Sequence, residues 1–536
     1  MKKRFFCQKK EFKHLFAKFN FDKTLSLQKI KCIIMNRLLV TILLSAFSLL
    51  LTAQSIEVSG VQNGVWDVDT VKVVGDVTVT DSLVIMMGTK VVFYGEYGMN
   101  IRNAQFKAFG IEFKPDSSTE RWSGIKVNNS LLELRDCFFF DSNADSVARD
   151  GGALRLINSE AVISGCWFEG CHAYATGGAV FAIKSDVEMT LCDVVGNTCS
   201  NDEVDVYTYG AGVFFAGSNA RLDRVRFQNN VCAAGCGGGV CIDSSSLVVS
   251  HCVFENNYAT NGGGISCIRA DDRPISVDNV LIDYNTVAHY GGAMHVAQCY
   301  NVHIDNVTMC HNVCQGGGGG AMQFHLASKA IINNTIIWGN GWDDEKSLGG
   351  DQIWLWDIYS APEFHNCVLQ GGVEAVHHGE NITVYENMLD EDPLFADGSY
   401  RLTEQSPCRN AGDSDIAPYD VTLDLDGLNR FSGSSIDMGA YEFQEGESLK
   451  DIMETGLSVN PVFAHNSLTH VKVNSDRPCK LNVIIKDIMG QTLWQKELDV
   501  DGEETVAIDK IIAPQVLVVT AIGDGRSTTV KCFQGR

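Results

Sequence analysis

The segments Gly238-Gly239-Val240 and Cys252-Val253-Phe254-Glu255-Asn256-Asn257 are the two halves of a unit that recurs along this chain. In the first half, a pair of small residues precedes a hydrophobe, and the second small residue falls at positions 153, 179, 212, 239, 264, 293 and 321. The second half is anchored at positions 137, 166, 192, 225, 252, 280, 307, 335 and 367. Both landmarks advance in steps of 25 to 33 residues and share one jump of 33. Two landmarks with one irregular period indicate an internal repeat.

This repeat predicts a right-handed parallel β-helix. A unit of this length holds three short strands joined by turns, and it buries its apolar face only by stacking on similar neighbours. Cys252 and Phe254 alternate with Val253 and therefore share the interior face. The Gly-Gly pairs mark tight corners, where a Cβ atom would clash with the next coil. An asparagine in the turn tolerates left-handed backbone and stacks as a structural ladder. These asparagines are Asn197, Asn230, Asn257, Asn285, Asn312 and Asn340.

The composition agrees with an all-β fold and limits the partners. The 536 residues include 51 Gly and only 9 Pro, which favours tight turns over long helices. The net charge of −24 argues against nucleic acid and anionic membranes as partners. The carboxylates either form a solvated exterior or bind divalent cations.

The N-terminus predicts export. Asn36-Arg37, the apolar run Leu38 to Leu51 and the small residues before Gln54 have the layout of a signal peptide over 35–53. The basic stretch 1–34 precedes it, and we interpret that stretch as a mis-assigned leader with translation starting at Met35. Residues 54–389 then form the β-helix.

Seventeen cysteines follow the leader. Five of them share the anchor position: Cys137, Cys166, Cys192, Cys252 and Cys367. This shared position favours a ladder of small, buried, mostly free thiols. Stacked rungs are also close enough for some disulfides, and in an exported protein a disulfide framework is the alternative.

The repeats resemble those of chlamydial polymorphic outer-membrane proteins and related bacterial surface β-helix proteins of the pectin-lyase-like solenoid fold. The resemblance covers residues 120–345, and its clearest copies are Phe227-Gln228-Asn229-Asn230 and Phe254-Glu255-Asn256-Asn257. It implies a secreted or surface protein. It leaves the activity open, because β-helices host lyases, hydrolases and adhesins alike.

Residues 390–443 are similar to the choice-of-anchor module that follows β-helices in many secreted bacterial proteins. Its marks include Asp392-Pro393-Leu394-Phe395 and Asp437-Met438-Gly439-Ala440-Tyr441-Glu442. We expect this module to cap the open strand edges at the end of the β-helix. We expect no cofactor. Asp424 and Asp426 are Ca²⁺ candidates, although their place in turns is the simpler explanation.

A linker over 444–456 leads to a small β-sandwich over 457–536. Asn460-Pro461 and the Ile488-Met489-Gly490-Gln491 turn resemble the C-terminal sorting domain of the type IX secretion system of Bacteroidetes. The chain departs from that family at Ile512-Ala513-Pro514-Gln515. The resemblance implies the type IX machinery as a partner and export through the periplasm to the cell surface.

Two sets of residues are candidate sites. Trp342, Trp354 and Trp356 lie near several aspartates, and exposed aromatic rings can stack on sugars. Asp278 and Asp305 are 27 residues apart and should stack in neighbouring coils. With Asp271 and Asp272 they form the only candidate catalytic set. We expect Asp278 and Asp305 to face water.

Two functions remain open at this stage. The first is an adhesin-like, monomeric surface protein that binds a polysaccharide or another cell-surface ligand. The second is a polysaccharide lyase or glycoside hydrolase with the face from Asp271 to Asp305 as its groove.

Overall fold

The computed structural model describes residues 54–145, 147–200, 207–342, 352–396, 399–415, 422–444, 457–464, 467–487, 492–508, 515–523 and 526–534. The leader, the signal peptide, the linker after residue 444 and the turn at 488–491 lie outside these residues. Among the described residues, no helix has the length and the apolar character needed to cross a membrane.

The parallel β-helix predicted from the repeat is confirmed. Each regular coil contributes four short strands, which pair in parallel with those of the next coil. We number the resulting ladders 1 to 4 from the Gly-Gly corner onward. The sequence predicted only three strands per coil. The fourth strand was missed because it is usually only two residues long. Two long N-terminal strands, Ser55–Val61 and Thr70–Val79, belong to both ladder 1 and ladder 3.

Ladder 1 follows the Gly-Gly corner and ladder 3 carries the Cys-x-Phe motif. The further strands of ladder 1 are Met99–Arg102, Ile125–Asn128, Leu154–Ile157, Val180–Ile183, Val213–Ala216, Val240–Asp243, Ile265–Asp271, Met294–Cys299, Met322–His325, Ile353–Leu355 and Val376–His377. Those of ladder 3 are Lys90–Phe93, Glu112–Pro115, Phe138–Phe140, Trp167–Glu169, Asp193–Val195, Arg226–Gln228, Val253–Glu255, Leu281–Asp283, Thr308–Cys310, Ile336–Trp338 and Val368–Leu369.

Within the described residues, ladder 2 has 13 strands and ladder 4 has 10. Those of ladder 2 are Gly64–Trp66, Ser82–Ile85, Gln105–Phe109, Leu131–Arg135, Glu160–Ser164, Asp186–Thr190, Asn219–Asp223, Ser246–Ser250, Ile275–Asp278, Val302–Asp305, Ala330–Asn333, Glu363–His365 and Tyr385–Glu386. Those of ladder 4 are Asn143–Ala144, His172–Ala173, Thr198–Cys199, Thr208–Tyr209, Val231–Cys232, Gly235–Cys236, Tyr258–Asn261, Thr286–Tyr290, Val313–Cys314 and Gly341–Trp342. In the described chain, the 3-10 turns Gly372–Ala375 and Gly379–Asn381 lie before and after the ladder 1 strand Val376–His377.

Interior side chains stack from coil to coil. The rings of Phe139 and Phe168 lie 4.8 Å apart and nearly parallel, as do those of Phe227 and Phe254. This spacing equals the distance between paired strands, so each ring contacts the corresponding ring above or below. Cys252 and Phe254 are buried, while Val253 points outward and is half-buried. The apolar alternation in the sequence is therefore the alternation between core and surface.

The six asparagines form a buried hydrogen-bonded ladder. The backbone N–H and the Nδ2 of each of the first five donate to the Oδ1 of the asparagine in the next coil, at 2.8 to 3.0 Å. Nδ2 also donates to a backbone carbonyl one coil earlier, as from Asn257 to Phe227 at 2.9 Å. Each buried amide therefore satisfies backbone groups that would otherwise lack partners.

Serine and cysteine build two further ladders. The Oγ of each serine accepts the backbone N–H of the residue one coil earlier, at 3.0 to 3.2 Å. These serines are Ser130, Ser159, Ser185, Ser218 and Ser245. At the anchor position, Cys166, Cys252 and Cys367 accept backbone N–H groups at 3.4 Å through Sγ. The cysteines whose side chains are described are free thiols, and all but Cys236 and Cys479 are buried.

The Gly-Gly corners leave no room for side chains. Gly177 has φ of 66°, which L-residues adopt only with strain. A Cβ atom added to the next residue, Gly178, would overlap the carbonyl oxygen of Ala211 in the following coil. Backbone packing between coils thus explains why this pair recurs.

The module at 390–443 packs mainly along the flank of the β-helix. Leu389 extends ladder 3 beyond Val368, but the rest turns back over several coils. The Leu423 carbonyl accepts from His251 and Asn279, and the Ala411 carbonyl accepts from Asn366. These contacts follow the corner between ladders 2 and 3. They are not explained by the expected cap over the last strand edges.

The C-terminal segment has the antiparallel character expected from its alternating sequence. Its described strands form one five-stranded sheet: Leu457–Ala464, Ser467–Asp487, Thr492–Ala507, Gln515–Gly523 and Arg526–Gln534. Val471, Leu481, Val483 and Val519 are among its fully buried side chains.

Candidate functional site

Asp278 and Asp305 stack in register in neighbouring strands of ladder 2, as their spacing indicates. The expectation that they face water is wrong, because their exposed fractions are only 3% and 5%. The flanking module covers this column, and Asn306 and Asn333 donate to the two carboxylates at 3.0 and 2.6 Å. A long substrate cannot reach these carboxylates while the module is in place.

The covered column lies against a buried charged cluster of the module. Arg430 is fully buried, and its Nη1 lies 3.6 Å from Oε2 of Glu442. Burial and, to a smaller extent, the charge of the neighbouring Asp278 raise the pKa of Asp305 to about 7. Burial and then the charge of Asp437 raise the pKa of Glu442 to about 8. The carboxyl groups of this cluster therefore retain protons near neutral pH.

Asp271 and Asp272 are not brought together with Asp278 and Asp305. They precede the ladder 2 strand Ile275–Asp278, whereas Asp278 ends it, so the two pairs flank opposite ends of that strand. Asp271 and Asp272 are exposed, and Asp271 accepts from Gln298 at 3.1 Å. The four aspartates therefore do not form a single groove.

The Trp-rich segment forms an exposed aromatic patch, which we define as Tyr290, His325, Trp356, Ile358 and Tyr359. Trp356 is 46% exposed and Tyr359 is 70% exposed. The Trp356 ring meets the rings of Tyr290 and His325 edge-on, at centroid distances of 5.1 and 5.5 Å. An indole ring braced at its edges and open to solvent can stack on a flat apolar ligand surface.

The other two tryptophans differ from Trp356. Trp354 stacks on His377 with centroids 3.6 Å apart, so one of its ring faces is occupied. Trp342 ends the strand Gly341–Trp342, and its side chain lies outside the described part of the chain.

Asp357 fixes the turn that carries the patch. Its carboxylate accepts backbone N–H groups from Tyr359 and Ser360 at 2.9 and 3.0 Å, and from Ala327 in the preceding coil. Burial opposes ionisation here, but these hydrogen bonds outweigh it and lower the pKa of Asp357. An ionised Asp357 thus orders the turn that presents Tyr359 and Ile358.

A second concave surface lies between ladder 3 and the module. This cleft has a volume of about 620 Å³, and Glu255, Asp283, Tyr284, His311, Tyr400 and Arg401 are among its lining residues. Glu255 and Asp283 are stacked in register, Tyr284 and His311 come from successive turns, and the module supplies Tyr400 and Arg401. The cleft therefore exists only while the module is docked.

None of Asp283, His311 and Tyr400 was a candidate site residue in the sequence analysis. Coil stacking places Asp283 beside Cys310, the residue before His311, and only the docking of the module adds Tyr400. The nearest signal was the 28-residue step that puts Asp283 above Glu255 on the outward side of ladder 3.

The calcium candidates have other partners. The Asp424 carboxylate accepts three backbone N–H groups, from Asp426, Leu428 and Glu442. Asp426 pairs with Arg401 through two guanidinium nitrogens. In the described part of the chain, no three Cys, His, Asp or Glu side chains converge as metal ligands would.

Comparisons with known proteins agree with the repeat. Residues 251–268 match the Chlamydia polymorphic membrane protein repeat. The chain is 26% identical over 167 residues to the protein named "Probable autotransporter YfaL" of Escherichia coli (strain K12). It is also 27% identical over 164 residues to "Metabotropic glutamate receptor-like protein R" of Dictyostelium discoideum.

These similarities are partial. The matches take in 27% and 30% of this chain, but only 13% and 10% of the two relatives. No solved structure matches. The similarities thus concern parts of these proteins rather than any whole protein.

Proposed function

We propose that this protein is an adhesin-like β-helix, exposed at the bacterial cell surface, that binds glycans through the aromatic patch. The observation that carries the proposal is the solvent-open ring of Trp356, braced by Tyr290 and His325 beside the exposed Tyr359. Aromatic faces of this kind stack on the apolar faces of sugar rings. The stiff coiled scaffold keeps the patch ordered without a ligand, which reduces the entropic cost of binding.

The similarity to surface-protein repeats supports the surface location. Polymorphic membrane protein and autotransporter sequences share the coiled unit with this chain. The net charge of −24 suits a solvated extracellular surface and disfavours nucleic acid as a partner.

For the export route, we propose recognition of residues 457–536 by the type IX secretion machinery. The support is the Asn460-Pro461 opening and the alternating strands of an antiparallel sheet. In this proposal the sheet is the sorting signal and the β-helix is the part of the protein that is exported.

A glycan array probed with the full chain tests the binding proposal. We expect selective binding to a subset of glycans by the wild type and strongly reduced signals for Trp356→Ala. Trp167→Ala is the matched control, because Trp167 is half-buried on a distant coil and donates to its neighbour Glu169. A wild-type array without selective binding contradicts the proposal.

A further inference from the structure

The cleft beside ladder 3 contains a chain of three hydrogen-bonded groups from three parts of the sequence. The Tyr400 hydroxyl donates to Oδ2 of Asp283 at 2.9 Å, and Nδ1 of His311 lies 3.1 Å from the same hydroxyl oxygen. Oδ1 of Asp283 is buried and has no hydrogen-bond partner. Burial raises the pKa of Asp283 to about 6 and lowers that of His311.

This geometry fixes which atoms face a ligand. The single hydroxyl proton of Tyr400 points to Asp283, so Nδ1 of His311 must carry the proton that reaches the hydroxyl oxygen. Nε2 of His311 is then an acceptor on an exposed ring. One coil before Asp283, the Glu255 carboxylate takes one donor from Gln228 through Oε2, at 3.0 Å.

Aromatic rings form the apolar part of the cleft. Tyr284 is 51% exposed and stacks against His311 with ring centroids 5.0 Å apart. Phe395 and Tyr441 lie on the module side of the cleft. The volume of about 620 Å³ lies within the ~300–1,000 Å³ range of small-ligand sites.

The charges of the cleft disfavour anionic ligands. Among the described lining residues Arg401 is the one arginine, and it is neutralised by Asp426 and lies over the Tyr441 ring at 4.7 Å. The described part of the cleft therefore offers no unpaired cation to a phosphate or a carboxylate. The acceptors Glu255 and His311 instead suit a ligand rich in hydroxyl donors, and the aromatic walls suit its apolar faces.

We infer that this cleft is a second carbohydrate site, which takes a short neutral sugar segment stacked on Tyr284 and hydrogen-bonded by Glu255 and His311. The inference rests on the proposed glycan-binding function but assigns a different location: the cleft borders ladder 3, whereas Tyr290 ends a strand of ladder 4 and His325 ends a strand of ladder 1. Tyr400 and Asp283 are positioning residues, because their hydrogen bonds orient His311 from the side away from the ligand. The docked module is part of the site.

Isothermal titration of the full chain with cellohexaose, xylohexaose and mannohexaose tests the inference. For at least one of them, Tyr284→Ala and Glu255→Gln should each weaken binding about tenfold, as the loss of one stacking contact or one charged acceptor implies. Trp356→Ala should leave that affinity unchanged. Tyr400→Phe keeps the aromatic wall and should weaken binding while retaining the wild-type melting temperature.

The outcomes separate the two proposals. If Trp356→Ala abolishes binding of every sugar and the cleft variants bind normally, the inference is wrong and the proposed function stands. If the wild type binds none of the three hexasaccharides, the inference is also wrong. Binding of hexalysine in their place, weakened by salt, would identify a cation site and overturn it as well.

Discussion

At the residue scale, single polar side chains hold the coils in register. Asn257 accepts two hydrogen bonds through Oδ1 from Asn230 and donates to Phe227 and Asn285, all within the buried interior. Because these groups are shielded from water, each one left unpaired costs about 1–3 kcal/mol. The repeated residues therefore have a structural role. They recur from coil to coil because breaking the ladder would leave buried polar groups unpaired.

Asn257→Ala should destabilise the protein by about 3 kcal/mol, since it leaves donors of Asn230 and the carbonyl of Phe227 without partners. Calorimetry should show a melting temperature several degrees below that of the wild type. Asn219→Ala is the control, because Asn219 is exposed and its loss should stay within about 0.5 kcal/mol. Equal melting temperatures for the two variants would contradict a stabilising role of the asparagine ladder.

The stacked cysteines should resist alkylation in the folded protein. Burial raises the pKa of Cys171, Cys252 and Cys367 to about 12, and the thiolate is the reactive form. Iodoacetamide at pH 8 followed by peptide mass spectrometry should modify these thiols only after denaturation. Modification at native rates, or disulfide-linked peptides between anchor cysteines, would show that the ladder is not one of buried thiols.

At the element scale, the module at 390–443 forms a cleft with the side of the β-helix. It buries Asp278 and Asp305, and it brings Tyr400 beside Asp283 and His311. Three buried carboxyl groups near this contact retain protons: burial raises the pKa of Asp437 to about 6, of Asp305 to about 7 and of Glu442 to about 8.

Docking of the module should weaken as the pH rises. These carboxyl pKa values are raised in the docked state, so the docked form holds protons that the released form loses above its ordinary pKa near 4. The stabilisation is complete below about pH 4, falls progressively as the pH rises from there, and is lost above about pH 8, the highest of the three raised values. Hydrogen exchange of residues 422–444 should therefore be about tenfold faster at pH 8.5 than at pH 5 after correction for intrinsic rates.

The variant Glu442→Gln removes the group with the highest of these pKa values and should flatten that pH dependence. Glu374→Gln is its control, because Glu374 is exposed and lies outside the cluster. An unchanged pH dependence in Glu442→Gln would mean that other groups control docking.

At the scale of the whole molecule, the sequence predicts the coils well and the surface poorly. The Gly-Gly and Cys-x-Phe landmarks report contacts between neighbouring coils, which are spaced regularly along the chain. The serine ladder kept the same steps of 29, 26, 33 and 27 residues and was available to the same reasoning. The burial of Asp278 could not be predicted by the same reasoning, because it depends on a module more than 100 residues away in the sequence. The repeats do not predict where that module docks.

Export should depend on the C-terminal sheet. Deletion of residues 457–536 should leave the protein in the periplasm, because the proposed sorting signal for type IX secretion is lost. Protease treatment of intact cells, with a periplasmic protein as the control for leakage, measures the location. Undiminished surface exposure of the deletion variant would refute the proposed route.

The most direct test of the central claim is the affinity of the wild type and of Trp356→Ala for the glycan that the array selects. We predict that Trp356→Ala binds at least about tenfold more weakly, as the loss of an aromatic stacking face implies. Trp167→Ala should match the wild type, and all three should melt alike. Equal affinities for the wild type and Trp356→Ala would contradict the aromatic patch as the binding surface.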